Sequence, residues 1–295
     1  MKGISVIIPT LNRVDFLKQT IDCLVSQKFE HPYEILIVDQ SNKEDKQMLE
    51  YQERYSCIRY YHITFFKGLP EARNFGWQKA KYDYILYLDD DITCESNLLE
   101  EHYRFIHKES IGVVAGGITE KHNKNTNVPI GKFTYWTATP YRGFHQKEQK
   151  EVFHAGGGNF CVKKTILENV GGVDENLTKG AALYEETDFC LRVKNMGFKI
   201  YFNYDAHVYH LAATTGGCRV EDINKYIYAL SRNRTIIITR YLKWYHKLTA
   251  NLFLLKLIMA YAVSYKKTSI IKNYIQGRKE GLLISKQPIK CTIYE

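Results

Sequence analysis

The chain has 295 residues, 45% of them hydrophobic and 25% charged, with a formal net charge of +9; that is enough for one large α/β domain, or one domain with an appendage, around a sizeable core. The charge is divided unevenly, because residues 232–295 hold 13 Lys and Arg against two acids while residues 1–231 hold 28 basic and 30 acidic groups. A near-neutral body with all its basicity in the tail argues against a nucleic-acid enzyme, whose cations ring the active face, and no nucleic-acid partner is expected.

Seven cysteines (Cys23, Cys57, Cys94, Cys161, Cys190, Cys218 and Cys291) are scattered without a paired CxxC spacing. This argues against a zinc site and for reduced thiols in a cytoplasmic compartment. No cationic n-region and apolar h-region precede the strand pattern that begins at Ile4, so no signal peptide is expected.

Residues 5–9, SVIIP, read as a first central strand ended by Pro9, which cannot donate to a ladder. Thr10, Leu11, Asn12 and Arg13 form a loop, and Asp15 opens a helix carrying Phe16, Ile21, Leu24 and Val25. Residues 34–38, EILIV, are a second buried strand with Asp39 just past its end. Strand, helix, strand with short loops is the βαβ signature of a parallel sheet. No G-x-G-x-x-G follows the first strand and no G-x-x-x-x-G-K-[ST] occurs, which disfavours the dinucleotide-binding and P-loop versions of that fold.

Residues 58–62 read as a third strand, and Gly68 and Leu69 lead into a helix through about Ala80 with Pro70 in its first turn. Arg73 in that helix is either a phosphate or base contact near a helix N-terminus or an exposed arginine on a helix face. Residues 85–92, ILYLDDDI, are the most informative stretch. A short apolar run fits a buried strand of a parallel sheet, and ligands of open α/β sheets sit at such carboxyl ends. Three adjacent carboxylates raise one another's pKa unless a cation lies among them. A hard divalent cation with oxygen ligands is the simplest cause. The alternative, a solvated acidic turn, is disfavoured by the buried strand in front of it.

Residues 111–117 are another apolar strand, and the polar residues 118–150 read as a substrate-side excursion, functional or disordered. Residues 155–160, AGGGNF, bring main chain close to a ligand or form a flexible turn. A helix then begins near Glu185, Glu186 and Asp188, burying Phe189, Leu191, Val193 and Met196 and ending at Gly197. Acids in its first turn suit the helix dipole with no further role. Residues 199–202 and 206–210 read as two more strands, and His210 alone is more often structural than a ligand. In the tail, residues 252–263 are apolar except for Lys256, about 12 residues against the roughly 20 needed to span a bilayer. With Lys243, Lys247, Lys266, Lys267 and Lys272 around them, two readings stand: an interfacial amphipathic helix, or a helix packed on the catalytic domain or a partner subunit.

Taken together, these motifs resemble the family 2 glycosyltransferases of GT-A fold, over about residues 3–235. The opening strand and loop carry Pro9, Thr10, Asn12 and Arg13, and Asp39 falls where the family holds the nucleotide base. Ala72-Arg73-Asn74 is similar to its arginine segment and Leu88-Asp89-Asp90-Asp91 to its DxD element. Glu185-Glu186-Thr187-Asp188 looks like its ED motif with Glu for Asp at the second acid, and His210 matches a histidine that completes the metal site in some members.

The resemblance implies an α/β, Rossmann-like, mostly parallel central sheet flanked by helices, with a basic, partly apolar helical extension. Residues 1–231 would be the catalytic domain, 1–117 its nucleotide-sugar half and 118–231 its acceptor half, with 232–295 the extension. It implies an inverting transfer of a sugar from a nucleotide-sugar donor to a glycan or lipid-linked acceptor in surface polysaccharide synthesis. Mn²⁺ or Mg²⁺ would be held by Asp91 with Asp89 and His210. Pro9, Thr10, Asn12, Arg13, Asp39, Arg73, Asp89 and Asp90 would hold the donor. Glu186, or Glu185, would be the base, and Gly157, Gly158, Asn159 and Asp188 would line the acceptor or the transferred sugar. The location would be cytoplasmic, at the inner face of the cell membrane on the first reading of the tail, and the second leaves a homo-oligomer open. The competing functions are a nucleotidyltransferase, which attacks phosphorus and needs no base at Glu186, and a non-catalytic sugar-binding module on the same fold.

Overall fold

The computed structural model describes residues 1–120, 127–213 and 220–294. Its first half alternates strictly: β1 (Ile4–Thr10), α1 (Val14–Val25), β2 (Tyr33–Asp39), α2 (Lys46–Arg54), β3 (Ile58–His62), α3 (Leu69–Lys79) and β4 (Tyr84–Leu88). The period-2 pattern of β1 explains the layers. Ile4, Val6 and Ile8 enter one core with Leu17, Ile21 and Leu24 of α1, while Ile7 enters the other with Ala72 and Phe75 of α3. Both faces of the sheet are therefore apolar and helix-covered, as a parallel sheet requires. Strand β1 runs one residue past Pro9, because β4 pairs with it only as far as Ile7↔Tyr87 and needs no N–H there. Phe16 is only half-buried; Leu17 and Thr20 take the core face of α1 instead.

The second half is β5 (Ile92–Cys94), α4 (Leu98–Ile106), β6 (Ile111–Glu120), β7 (Phe133–Thr134), β8 (Thr139–Pro140), β9 (Gln149–Val152), β10 (Asn159–Lys163), α5 (Lys164–Val170), a 3-10 turn at Glu175–Leu177, α6 (Lys179–Ala182), α7 (Glu185–Asn195) and β11 (Lys199–His210). Among the described residues the main sheet has the order β3-β2-β1-β4-β10-β6-β11-β5, with β9 also on β11. Strands β3, β2, β1 and β4 are parallel, and β10 enters antiparallel between β4 and β6. The two strands expected at 199–202 and 206–210 are one strand, β11, whose register against β6 shifts between Asn203 and His207. Met196, expected on the buried face of α7, is its exposed C-cap. Within the excursion at 118–150, residues 121–126 lie outside the described residues; the rest holds the end of β6, the short strands β7 and β8 and the first half of β9.

The tail is α8 (Ile223–Tyr241), α9 (Trp244–Tyr265) and α10 (Ser269–Ile284). The charge step at 231/232 falls inside α8. A third core joins Ile227, Leu230, Ile237, Leu254, Ile258 and Tyr274 of these helices to Tyr184 and Leu191 of the body. Gly277 lets α10 approach α8, since a side chain there would collide with the Tyr228 carbonyl. Beyond α10 the chain returns to the body. Thr292 donates to Glu175 from its N–H and its hydroxyl at 2.8 and 2.6 Å, and the Tyr294 ring packs on Phe65, Phe66 and Phe75.

Candidate active site

Every residue of β4 is buried, so the chain delivers Asp89, Asp90 and Asp91 to the sheet's carboxyl edge. Thr20 of α1 shapes the turn, its single hydroxyl hydrogen shared between the carbonyls of Asp90 and Ile92, both at 2.9 Å, while its oxygen accepts from the Ile92 N–H at 3.1 Å. Gly158, the last residue of the turn into β10, accepts from the Asp89 N–H at 3.3 Å, and a Cβ there would collide with the Asp89 carboxylate.

The three acids divide their partners. Asp90 accepts from the Thr10 hydroxyl at 2.7 Å and from Arg13 at 3.0 Å; burial pushes its carboxyl up to about 6 against both. Asp91 accepts from the Ala213 N–H at 2.9 Å and lies 3.1 Å from His210 Nε2, whose other carboxylate neighbour is Asp89 at 3.6 Å. Burial opposes ionisation of Asp91, but His210 outweighs it and holds the carboxyl below its usual range, while the same contact raises the imidazole. One ligand atom each from Asp89, Asp91 and His210 lies within 4.8 Å of the others. Asp91 Oδ1 is buried without a well-formed hydrogen bond. Two carboxylates and an imidazole that bring one ligand atom each to a common point form a donor set that fits a divalent cation of the Mg²⁺ or Mn²⁺ type.

Two adjoining clefts open at this edge. One, of about 540 Å³, is lined by Asn12, Asp39, Ser41 and Met48; the other, of about 390 Å³, by Pro9, Lys67, Asp89, Asp91, Arg142 and His210, and Thr10 and Arg13 line both. Asp39 stands ready in the first, fixed by the Ser41 N–H and the Tyr60 hydroxyl, both at 2.8 Å.

The acids of α7 are arranged differently. Tyr184, at φ +70°, turns the chain into the helix. Glu185 is buried and paired with Arg73, itself buried, which donates to the Gly157 carbonyl at 2.7 Å. Arg73 therefore faces an acid and a backbone oxygen rather than the clefts. Glu186 pairs with Arg142, an exposed residue of the second cleft, with His154 Nε2 at 4.0 Å. Burial opposes ionisation of Glu186, yet Arg142 outweighs it and leaves the carboxyl below its ordinary range; burial pushes His154 down to about 4. Gly157 lies beside Glu186, since a Cβ there would come 3.8 Å from its carboxyl carbon.

Two residues expected at the acceptor are buried and bonded within the protein. Asp188 is fully buried and holds Arg192 at 2.8 Å, Tyr241 at 2.6 Å and Arg240 at 3.4 Å, tying α7 to α8. Asn159 is equally buried, held by His102 at 2.7 Å and donating to the carbonyls of Gly117 and Ala206. Both face inward because helix and strand turn them away from the clefts. Arg142, His154 and Lys67 escaped the sequence reading; Arg142 sits in the polar excursion, where no local pattern marks it.

Residues 5–171 match the family model "Glycosyl transferase family 2". Chondroitin synthase of Pasteurella multocida is 35% identical over 92 residues, 30% of this chain and 10% of that protein. Poly(ribitol-phosphate) beta-N-acetylglucosaminyltransferase TarP of Staphylococcus aureus is 27% identical over 119 residues, 39% of this chain and 36% of that protein. The matches thus span well under half the length of either relative. The crystal structure of S. aureus TarS 1-349 in complex with UDP-GlcNAc superposes with a TM-score of 0.68 at 19% identity, covering 97% of this chain and 81% of that one; it shares the fold.

Proposed function

The chain belongs to glycosyl transferase family 2, and on that premise we propose that it is an inverting, metal-dependent glycosyltransferase. It moves a sugar from a nucleoside-diphosphate donor to a hydroxyl of a glycan or lipid-linked acceptor, in surface polysaccharide synthesis. The supporting observation is the second cleft, which has the Asp89, Asp91 and His210 trio on one wall and Arg142, paired with Glu186, on another.

The donor's base takes the first cleft, where Asp39 accepts from its polar edge, and its diphosphate crosses Thr10 and Arg13 into the second cleft toward Lys67. Asp89, Asp91 and His210 would hold Mn²⁺ or Mg²⁺, which when bound supplies the Lewis acidity that neutralises a departing diphosphate. Glu186 accepts the proton of the acceptor hydroxyl as its oxygen bonds to the anomeric carbon and the carbon–phosphate-oxygen bond breaks. A single displacement from the far face inverts that centre. Glu185 is unsuited to this because its charge is committed to the buried Arg73. Gly157 leaves room beside the base, and Arg142 orients the Glu186 carboxylate. The donor of the TarS complex makes UDP-sugars the first to test.

The cytoplasm, at the inner face of the cell membrane, is the location that fits free thiols. Cys23, Cys57, Cys94, Cys161, Cys190 and Cys291 are in no disulfide, with Cys94 donating to Cys23 Sγ at 3.1 Å, and Cys218 lies outside the described residues. The test is a panel of nucleotide sugars with Mn²⁺ and a soluble oligosaccharide acceptor, assayed for the released nucleotide. Release of a nucleoside diphosphate supports the reading. Release of pyrophosphate would identify a nucleotidyltransferase, and a panel with neither product nor thermal stabilisation would overturn the donor site.

A further inference from the structure

We propose that the outer face of α9 docks on an anionic lipid surface, with the helix lying in the plane of the interface. Trp244, Leu248, Leu252, Leu255, Met259 and Val263 recur at three- and four-residue steps, so they form one stripe along the helix. Their exposures run from 42% to 77%, while Ala250, Leu254 and Ile258 on the opposite side are fully buried in the third core. The helix has 22 residues, so the stripe extends over about 30 Å. An apolar strip that long, left open on a folded chain, marks a surface made for a partner.

Charge identifies the partner. Lys243, Lys256, Lys266 and Lys267 are exposed around the stripe, and α9 contains no acid. Between residues 243 and 294 the sole carboxylate is Glu280, which is taken by Arg232 and Tyr228. A second copy on this face would bring the same lysines together with no acid to meet them. A bilayer carrying anionic headgroups offers the complement, each nearby lysine adding to the attraction. Exposed Trp244 and Tyr265 at the two helix ends match the preference of amphipathic rings for the headgroup level.

The helix lies flat rather than crossing. By length and composition it is a candidate span, with a mean hydropathy of 1.5 over 18 residues. However, its inner side is packed on protein, Asn251 accepts from Arg278 at 2.7 Å, and Lys256 sits mid-helix on the outside. With its inner apolar side packed on protein, α9 leaves one apolar side open, and lysines beside that open side suit a helix lying in an interface.

The test is co-sedimentation of the full chain with phosphatidylglycerol–phosphatidylcholine vesicles and with phosphatidylcholine vesicles, a readout independent of turnover and so separable from the donor-site reading. The expected result is binding to the first at least about tenfold tighter than to the second, weakening as salt rises. Leu252→Asp with Met259→Asp should reduce that binding at least about tenfold while far-UV circular dichroism stays unchanged. Lys256→Gln, Lys266→Gln and Lys267→Gln together, which leave the apolar stripe whole, should remove the preference for phosphatidylglycerol. Equal binding to both vesicles, or binding to neither, overturns the proposal. So does a dimer in light scattering that the Asp pair disperses, since the face would then belong to a second copy.

Discussion

The molecule carries two acid clusters that look alike in sequence and differ in what neutralises them. At the tip of β4, three acids beside an open cleft share one arginine and one histidine: Arg13 reaches Asp90 at 3.0 Å and Asp91 at 3.5 Å, and His210 lies between Asp89 and Asp91. At the start of α7, each acid has an arginine: Arg73 for Glu185, Arg142 for Glu186, and Arg192 with Arg240 for Asp188. The first set is left short of positive charge and suits a cation from outside. The second is neutralised from within, and its members separate into two buried structural pairs and one pair at the cleft. Carboxylates in a row thus say little about role; the origin of their counter-charge says much more.

Asp91→Ala breaks the first cluster and carries the largest expected effect. With several kcal/mol of charge stabilisation gone, turnover should fall on the order of 10⁴-fold, read as nucleoside diphosphate release. Glu186→Gln should lower kcat by about 10²- to 10⁴-fold with little change in donor KM, as loss of a general base does. Glu185→Gln sharpens the contrast within α7. It strands a buried arginine, and removing one partner of such a pair costs about 3–5 kcal/mol, so the melting temperature should drop well before kcat is considered. If Glu185→Gln instead keeps its melting temperature and loses kcat as Glu186→Gln does, the roles are reversed. Asp188→Asn should destabilise by about 1.5–3 kcal/mol through its charged hydrogen bonds and leave acceptor KM unchanged.

Arg142→Met gives the smallest and most diagnostic change. The base acts as carboxylate, so activity is present above the Glu186 pKa and lost as pH falls through it. Arg142 holds that pKa below its ordinary value against burial. Without the guanidinium only the upward push of burial and weaker neighbours remain, so the acid limb of the kcat/KM profile should move to higher pH. An unmoved limb would mean that Glu186 is not the titrating base.

The parallel half of the sheet was legible because each strand there is a continuous apolar run with its helix close behind in sequence. Strand β10 was not, since its antiparallel entry lies behind the glycines at 156–158, whose pattern marks close approach but not pairing. The divided reading of β11 follows from its polar middle, Asn203 to Asp205, where the ladder shifts. In the site, residues fixed to a strand tip were readable: Asp89, Asp90 and Asp91 can only emerge at the sheet's edge. Asn159 and Asp188 turn inward, which proximity in sequence to a functional motif does not reveal. Arg142 was invisible, being brought to Glu186 across 44 residues by tertiary folding alone. The tail helix proved longer than its apolar run because Trp244, Tyr245, His246 and Lys247 continue the helix in which that run lies.

The most direct measurement is titration calorimetry of UDP into the wild-type chain with Mn²⁺, after chelation with EDTA, and into Asp91→Ala. The account expects binding with Mn²⁺ and at least about a tenfold loss, or about 1.4 kcal/mol, in each of the other two. UDP that binds equally well in all three would leave the β4 acids without a metal to hold and contradict the account at its centre.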